Sequence, residues 1–310
     1  MELKYDIKKY LAKIKMSSKK RVLVEGKDDK SHIKNLLDVI REGHKVKIDT
    51  AEDIKGTCEI TARNNRAKID KIYNQCKNSN EYDNLYFLCD REYKKFDISE
   101  KISDLMSDHE SEGNLSWTIG HSIENYFFKD ELLCDAYRYI CSSEYKSEAI
   151  NLFINILPSA LKLVAAITLS AKDLDKASYP AGVIGWKHFQ IENNVICIDI
   201  DMLVKNRDDQ YIADFQKHIK KYLPIVDASD ALICSRICRG HTAMLMLQRV
   251  FASCLNYVIK NIDVAKAEKD ALIFSQLKEF NVATALCEAW VRKAKEGLAL
   301  YPCQLIESVA

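Results

Sequence analysis

Residues that break helices and strands are scarce in this sequence. Its 310 residues include only nine glycines and four prolines. Such a composition favours long helices over a strand-rich sandwich or barrel. Apolar residues make up 47% of the chain and charged residues 29%, which is typical of an ordinary globular protein and excludes intrinsic disorder as the general state.

A strong net charge is also missing, because lysine and arginine nearly balance aspartate and glutamate and leave a formal charge of +1. No overall basic field therefore indicates a nucleic-acid partner, although a local basic face can coexist with an acidic metal site. The eleven cysteines have no regular spacing, so the sequence predicts reduced thiols that are mostly buried, and no disulfide framework.

Targeting and membrane segments are not evident. Lys4, Lys8 and Lys9 interrupt the N-terminal stretch, which has no apolar core of signal-peptide length. The most apolar stretch, residues 149–171, contains asparagine, proline, serine and lysine, and fits buried helices better than a membrane span. We expect a soluble cytoplasmic protein. No glycine-rich phosphate loop occurs, so we expect no ATPase activity of the chain itself.

The first 128 residues show the pattern of a small α/β domain. Two uninterrupted apolar runs, Val22–Val24 and Leu85–Cys89, predict buried strands of the parallel kind. Alternation of such strands with helices predicts a small, mostly parallel sheet. Further strands are predicted at 46–48 and 115–119, and helices at 5–16, 32–40, 59–77 and 99–106.

The remainder of the chain has helical periodicity. It predicts helices at 130–142, 146–172, 208–222, 240–260 and 264–297, with short strands only within 183–199. We therefore expect an N-terminal helix (1–18), an α/β metal or catalytic domain (19–128) and a predominantly α-helical domain for partner binding or dimerisation (129–310).

Acidic residues follow the two clearest strands. Glu25 follows the first, Asp29 lies in the first turn of the next helix, and Asp90 and Glu92 follow the second. Ligands of open α/β sheets bind outside the carboxyl ends of the strands, so these carboxylates are expected to converge. Clustered carboxylates favour Mg²⁺, with Mn²⁺ as a substitute, and a carboxylate-held metal pair stabilises phosphoryl transfer. Glu25 is our candidate for proton transfer.

Each candidate also has a structural interpretation. Glu25-Gly26 is compatible with a plain strand-ending turn, with Asp28 or Asp29 as the cap of the following helix. Glu124 is compatible with bonding backbone amides at a helix start or with orienting a metal ligand. Arg239 and His241 suit either phosphate contact or a salt-bridged helix start. The spacing of Cys234, Cys238 and His241 suggests zinc, but no fourth ligand is apparent, so we expect buried thiols.

Two segments resemble a known domain. The run Val22-Leu23-Val24-Glu25-Gly26-Lys27-Asp28-Asp29 resembles the first motif of the Toprim domain, and Leu85–Glu92 resembles its second, a strand followed by Asp-x-Asp. The segment Ser122–Tyr126 is similar to one that follows the Toprim core in the DUF4435 group. That group includes effector subunits of PARIS-type anti-phage defence systems. The resemblance spans residues 20–128, with Arg239-Gly240-His241 as a weak later match.

The resemblance implies a Mg²⁺-dependent nuclease, toxic to the infected cell and controlled by an ABC-type ATPase partner. For the PARIS-like branch it also implies RNA, particularly tRNA, as the substrate. Glu25, Asp90 and Glu92 would be catalytic and metal-binding, Asp29 a further ligand, and Glu124, Arg239 and His241 supporting or substrate-binding residues. Glu92 departs from the family, which usually has aspartate there. This departure favours a second hypothesis, a catalytically inactive recognition module that docks a partner protein.

Overall fold

In the computed structural model, residues 5–41, 45–106, 108–205 and 211–309 are described, without the side chains of 204 and 205. The chain forms two compact units, each built from separate segments. Unit 1 comprises residues 1–91, 106–126 and 290–310, and unit 2 comprises residues 92–105 and 127–289. The predicted single division near residue 128 coincides with one boundary between the units and omits the others.

The chain contains short strands and longer helices. The strands are β1 (Tyr5–Asp6), β2 (Arg21–Val24), β3 (Lys47–Thr50), β4 (Ile54–Lys55), β5 (Leu85–Cys89), β6 (Phe96–Ile98), β7 (Ile102–Asp104), β8 (Ser111–Glu112), β9 (Leu115–Trp117), β10 (Phe189–Glu192) and β11 (Val195–Ile198). The helices are α1 (Ile7–Lys15), α2 (Lys27–Ile40), α3 (Glu59–Arg63), α4 (Asn65–Cys76), α5 (Asp130–Ile140), α6 (Lys146–Asp173), α7 (Tyr179–Val183), α8 (Ile200–Lys205), α9 (Ile212–Asp227), α10 (Ala231–Ile237), α11 (Gly240–Ile259), α12 (Val264–Ser275), α13 (Glu279–Lys295) and α14 (Cys303–Val309).

Unit 1 is built on a five-stranded sheet of order β3-β2-β5-β9-β8. The first four strands run parallel, and β8 pairs antiparallel with β9. The apolar runs that predicted β2 and β5 lie at adjacent central positions and are almost entirely buried. The fold is therefore mixed α/β with a small, mostly parallel sheet, as the sequence predicts, and helices flank it.

The N-terminal helix α1 is amphipathic, and its buried residues are those that the sequence places on one face. They are Ile7, Tyr10, Leu11 and Ile14. These side chains share a core with residues of α4, β5 and β9, including Ile69, Phe87 and Trp117. Burial of such apolar surface, at roughly 25 cal/mol per Å², holds helix and sheet together.

Two of the helices predicted before residue 128 differ from the structure. The stretch predicted as a helix at 99–106 contains β7, which pairs antiparallel with β6 and forms a hairpin. Ile102 is buried there and its amide donates to Ser229 Oγ at 2.8 Å. The predicted helix at 59–77 is two helices, since Asn64 is extended and caps α4 by accepting from the Ala67 amide at 2.9 Å.

The C-terminal segment of the chain belongs to unit 1, where it contributes α14 and the last turn of α13. Leu305, Ile306 and Val309 are buried, and α14 packs against β5. Lys20 Nζ donates to the Ser308 carbonyl at 3.0 Å. The predicted helical domain at 129–310 is therefore divided between the two units, because its last residues, 290–310, belong to unit 1 and pack in its core.

Unit 2 is predominantly helical, as predicted for this part of the chain. Of the helix predicted at 208–222, residues 208–210 lie outside the described residues, and α9 covers the rest. The stretch predicted as one helix at 264–297 is divided into α12 and α13, and the strands expected within 183–199 are the antiparallel hairpin β10–β11.

Two described helices, α6 and α11, are long and apolar enough to cross a membrane by length and composition alone. Their most apolar windows have a mean hydropathy of 1.9 and 1.3. The windows are 67% and 72% buried within the protein, as core helices are. This burial agrees with the prediction that the apolar stretch at 149–171 belongs to a protein core.

Candidate functional site

The carboxyl ends of β2 and β5 are joined by a side chain. Glu25 follows β2, and its Oε1 accepts a hydrogen bond from the Asp90 amide, which follows β5, at 3.1 Å. The Glu25 side chain is 17% exposed. The structure thus brings two of the predicted site residues together at the edge where ligands of parallel sheets bind.

The position of Asp90 is fixed by its neighbour Arg91, one of the large side chains that are fully buried. The Arg91 amide donates to Thr118 Oγ1 at 2.9 Å, and its guanidinium donates to the Ile119 carbonyl at 2.7 Å. The Thr118 amide in turn donates to the Cys89 carbonyl at 3.0 Å. The chain beyond β5 is therefore anchored to the segment beyond β9.

Asp29 lies in the first turn of α2 and its carboxylate accepts from the Gly26 amide at 2.8 Å. Gly26, and neither Asp28 nor Asp29, is the N-cap of this helix. Asp29 contributes to the cap from the third helical position through this hydrogen bond, whereas Asp28 is exposed. Burial, together with the negative charges of Glu124 and Glu25, raises the pKa of Asp29 to about 8, against the lowering effect of the Gly26 hydrogen bond.

Glu124 lies in a 3-10 helix, Ile123–Phe127, and is only 2% exposed. Its Oε2 accepts a short hydrogen bond from Ser122 Oγ at 2.5 Å, and the Ser122 amide donates to Asn125 Oδ1 at 2.8 Å. The segment that resembles the DUF4435 motif therefore bonds to itself and holds a buried acid close enough to Asp29 to disfavour its ionisation. Both predicted roles of Glu124 remain compatible with this position.

Arg66, from the first turn of α4, is a site residue that the sequence did not indicate. Its Nη1 donates to the Asp90 carbonyl at 2.6 Å and lies 3.7 Å from Glu25 Oε1. Its Nε donates to Asp70 Oδ1 at 3.0 Å, one helical turn away. The sequence signal for Arg66 was its spacing of four residues from Asp70, but such charge pairs are common on exposed helices and do not identify a site.

The remaining predicted site residues lie in unit 2. Glu92 is exposed, has a left-handed backbone with φ of 51°, and begins the turn that leads into β6. His241 Nδ1 pairs with Glu279 Oε1 at 2.5 Å, and Arg239 Nη1 donates to the Ala177 carbonyl at 3.2 Å. These contacts match the structural interpretation for both residues and leave their substrate roles as predictions.

Cysteine burial agrees with the sequence. Cys234 and Cys238 are both buried, and Cys238 Sγ donates to the Cys234 carbonyl at 3.0 Å. Burial raises the pKa of Cys234 to about 12 and raises that of Cys238 well above its usual range, so both thiols are protonated at neutral pH. Protonated thiols are poor zinc ligands.

The acidic residues suit Mg²⁺ by the chemistry of their oxygen donors but less by their arrangement. Oxygen ligands are those that Mg²⁺ prefers. Burial, and after it repulsion by Glu124 and Glu25, raises the Asp29 pKa, and a cation would relieve that repulsion. Within the described ranges, however, no three His, Cys, Asp or Glu side chains are grouped as they would be to hold a metal ion. The donor chemistry therefore fits Mg²⁺, but the described residues do not form a three-ligand arrangement.

Comparison with known proteins gave no relative, since neither a protein-family model nor a curated protein sequence matches this chain.

Proposed function

We propose that the acidic site of unit 1 hydrolyses phosphodiester bonds of nucleic acids with the help of Mg²⁺, in RNA in preference to DNA. The observation that carries this proposal is the convergence of Glu25 and Asp29, from the β2–α2 turn and the start of α2, with Glu124 from a distant segment, and the pKa of about 8 at Asp29. An acid whose pKa is raised this strongly by burial and by neighbouring acids is typical of functional sites.

The proposed roles of the residues rest on their positions and on the resemblance. Glu25 and Asp90, at the ends of adjacent parallel strands, are the proposed metal ligands, with Glu92 a further ligand from the resemblance. Bound Mg²⁺ would supply positive charge for the phosphate oxygens. Glu124 adds negative charge around the site, Asp29 joins it when it loses its proton near pH 8, and Arg66 neutralises Glu25 at 3.7 Å. Glu25 is also the proposed group for moving a proton between the nucleophile and the leaving group.

The resemblance to Toprim nucleases of the DUF4435 group supports a wider biological proposal. In it, the chain is a toxic effector of anti-phage defence, acts on tRNA in the cytoplasm, and is restrained by an ABC-type ATPase partner. The helical unit would bind this partner or a second copy of the chain.

The second candidate function is a catalytically inactive module that docks a partner protein. The observation that favours it is the lack, among the residues that the structure describes, of a three-ligand metal group, together with the exposed, left-handed Glu92. In this case the acids would hold the loops in place through contacts such as Glu25 with the Asp90 amide.

Two assays separate the candidates. The purified chain is incubated with total tRNA, single-stranded RNA and plasmid DNA, in Mg²⁺, Mn²⁺ or EDTA, and its melting temperature is followed against Mg²⁺ concentration. Metal-dependent cleavage supports the nuclease and names its substrate. A bound metal stabilises the native state by mass action, so a melting temperature that does not move, with no cleavage, supports the inactive module.

A further inference from the structure

Lysine side chains lie over tyrosine rings where α6 ends in unit 2. Lys172 Nζ is 5.0 Å from the centroid of the Tyr93 ring, and Lys176 Nζ is 5.2 Å from that of Tyr211. Tyr179 lies edge-on to Tyr211, with ring centroids 6.2 Å apart. Both lysines are exposed and the three tyrosines are half-buried, so each ring is held in place and still reaches the solvent.

Arg239 connects the two lysine–tyrosine pairs. Its Nη1 donates to the carbonyl of Ala177, which lies between Lys176 and Tyr179 along the chain. Burial raises the pKa of Tyr93, and the positive charge of Arg239 lowers it, so the two groups interact electrostatically. We name this region, Tyr93, Lys172, Lys176, Tyr179, Tyr211 and Arg239, the tyrosine–lysine surface.

The charge of the surrounding segments is positive although that of the whole chain is only +1. The segments that carry this surface and the adjoining part of α9, residues 92–95, 172–179, 211–221 and 239, contain eight lysines and arginines and four acids. One acid, Asp173, accepts from Lys221 Nζ at 2.8 Å and from the Tyr222 hydroxyl at 2.9 Å. Its charge is therefore already matched, and the local excess of positive charge favours a polyanion.

We infer that the tyrosine–lysine surface binds single-stranded nucleic acid, with bases on the tyrosine rings and phosphates on Lys172, Lys176 and Arg239. Aromatic rings among cations are the usual features of such surfaces, because every unpaired base offers a face for stacking, whereas duplex bases are already stacked. The role of this surface in holding a substrate rests on the proposed nuclease function, whereas its binding of nucleic acid does not depend on that function.

The test is a binding measurement that needs neither metal nor cleavage. Fluorescence anisotropy of a labelled oligouridylate is recorded with the full chain carrying Glu25→Gln, in EDTA, at several salt concentrations. We expect the added double change Lys172→Ala and Lys176→Ala to weaken binding at least tenfold. It should also reduce the slope of log K against log salt by about 1.4, or 0.7 for each lost phosphate contact.

Two further variants address stacking and specificity. Tyr211→Leu keeps an apolar side chain beside Tyr179 and removes the ring, and we expect roughly tenfold weaker binding. Lys260→Ala is the matched control, because Lys260 lies 4.7 Å from the Tyr257 ring elsewhere in unit 2. Its binding should stay within about twofold of the parent. Circular dichroism melts confirm that each variant is folded.

The outcomes separate this inference from the proposed function. Unchanged binding in the double lysine variant overturns the surface, and so does equal competition by inorganic polyphosphate, since charge alone would then explain the binding. Absence of binding by the parent overturns it too. Lysine- and tyrosine-dependent binding without any metal-dependent cleavage by the wild-type chain supports the surface and contradicts the nuclease.

Discussion

The carboxyl of Asp29 combines a structural and an electrostatic role. It bonds the Gly26 amide at the start of α2, and it shares its surroundings with Glu124 and Glu25. The sequence predicted that this acid lies at the site, from its position three residues after Gly26. It did not predict the elevated pKa, which depends first on the burial of Asp29 in the folded chain and then on Glu124, a residue that is distant in the sequence.

This raised pKa makes stability depend on pH. Asp29 ionises near pH 8 in the folded chain and near pH 4 when unfolded. Between these values the folded chain keeps a proton that the unfolded chain has lost, so the free energy of unfolding falls as pH rises from about 4 to about 8. Asp29→Asn keeps an oxygen for the Gly26 amide and should flatten this slope. Urea unfolding across this pH range measures it, and equal slopes for both proteins would contradict the assignment.

Arg66 provides a second prediction at this scale. Its guanidinium lies 3.7 Å from Glu25 Oε1, so it repels any cation that Glu25 binds. We expect Arg66→Ala to bind Mg²⁺ roughly three- to tenfold more tightly, as measured by calorimetry. Loss of the hydrogen bond to the Asp90 carbonyl should also destabilise the fold by about 1 kcal/mol.

The control for this prediction is Arg63→Ala, because the Arg63 side chain is 82% exposed and pairs with Glu59 on the surface of α3. Its Mg²⁺ affinity should equal that of the wild-type chain. Weaker Mg²⁺ binding in Arg66→Ala would mean that this arginine supports the site instead of opposing the cation.

Among the secondary-structure elements, those with a long uniform pattern were predictable. The apolar runs of β2 and β5 are buried on both faces, and α1 shows one apolar stripe, so each pattern specifies one structure. The hairpin β6–β7 was missed because its three-residue strands are too short to show alternation. Its formation depends instead on tertiary contacts such as that of the Ile102 amide with Ser229.

The turn before α3 depends on a glycine. A Cβ at Gly56 would lie 2.3 Å from the backbone of Thr61, a distance that no rotamer change relieves. We expect Gly56→Ala to destabilise unit 1 by about 1–3 kcal/mol, through displacement of α3 and of α4, which carries Arg66. Chemical denaturation followed by circular dichroism measures the loss.

Gly182→Ala is the matched substitution, because a Cβ there has no atom within 4 Å. Helix propensity favours alanine in α7, so its stability should be unchanged or slightly increased, by up to about 1 kcal/mol. A Gly56→Ala variant as stable as Gly182→Ala would show that this turn adjusts without cost.

At the scale of the whole molecule, the sequence predicted the change from α/β to helical character near residue 128 and not the return of the chain. Residues 290–310 join unit 1, where the Trp290 indole donates to the Leu300 carbonyl at 2.8 Å and its ring stacks on Tyr126 with centroids 5.6 Å apart. Helical periodicity reports which face is buried, but it does not report which sheet that face will cover.

This return predicts the behaviour of fragments. A chain of residues 1–126 lacks Leu305, Ile306 and Val309, whose burial beside β5 completes the core. Removal of each such side chain from a core costs about 2–5 kcal/mol, so we expect the fragment to be unfolded or aggregated. Co-expression with residues 290–310 should restore soluble, folded protein in part. A cooperatively folded 1–126 fragment would contradict this view of unit 1.

The most direct test of the proposed acidic site is cleavage of total tRNA by the wild-type chain, Glu25→Gln and Glu59→Gln, each with Mg²⁺ and with EDTA. Glu59 is a matched control because its side chain is 79% exposed and lies outside the site. We expect Mg²⁺-dependent cleavage by the wild-type chain and by Glu59→Gln, and a cleavage rate lower by about a hundredfold or more in Glu25→Gln. Equal cleavage by all three proteins, or cleavage that persists in EDTA, would contradict the proposed site.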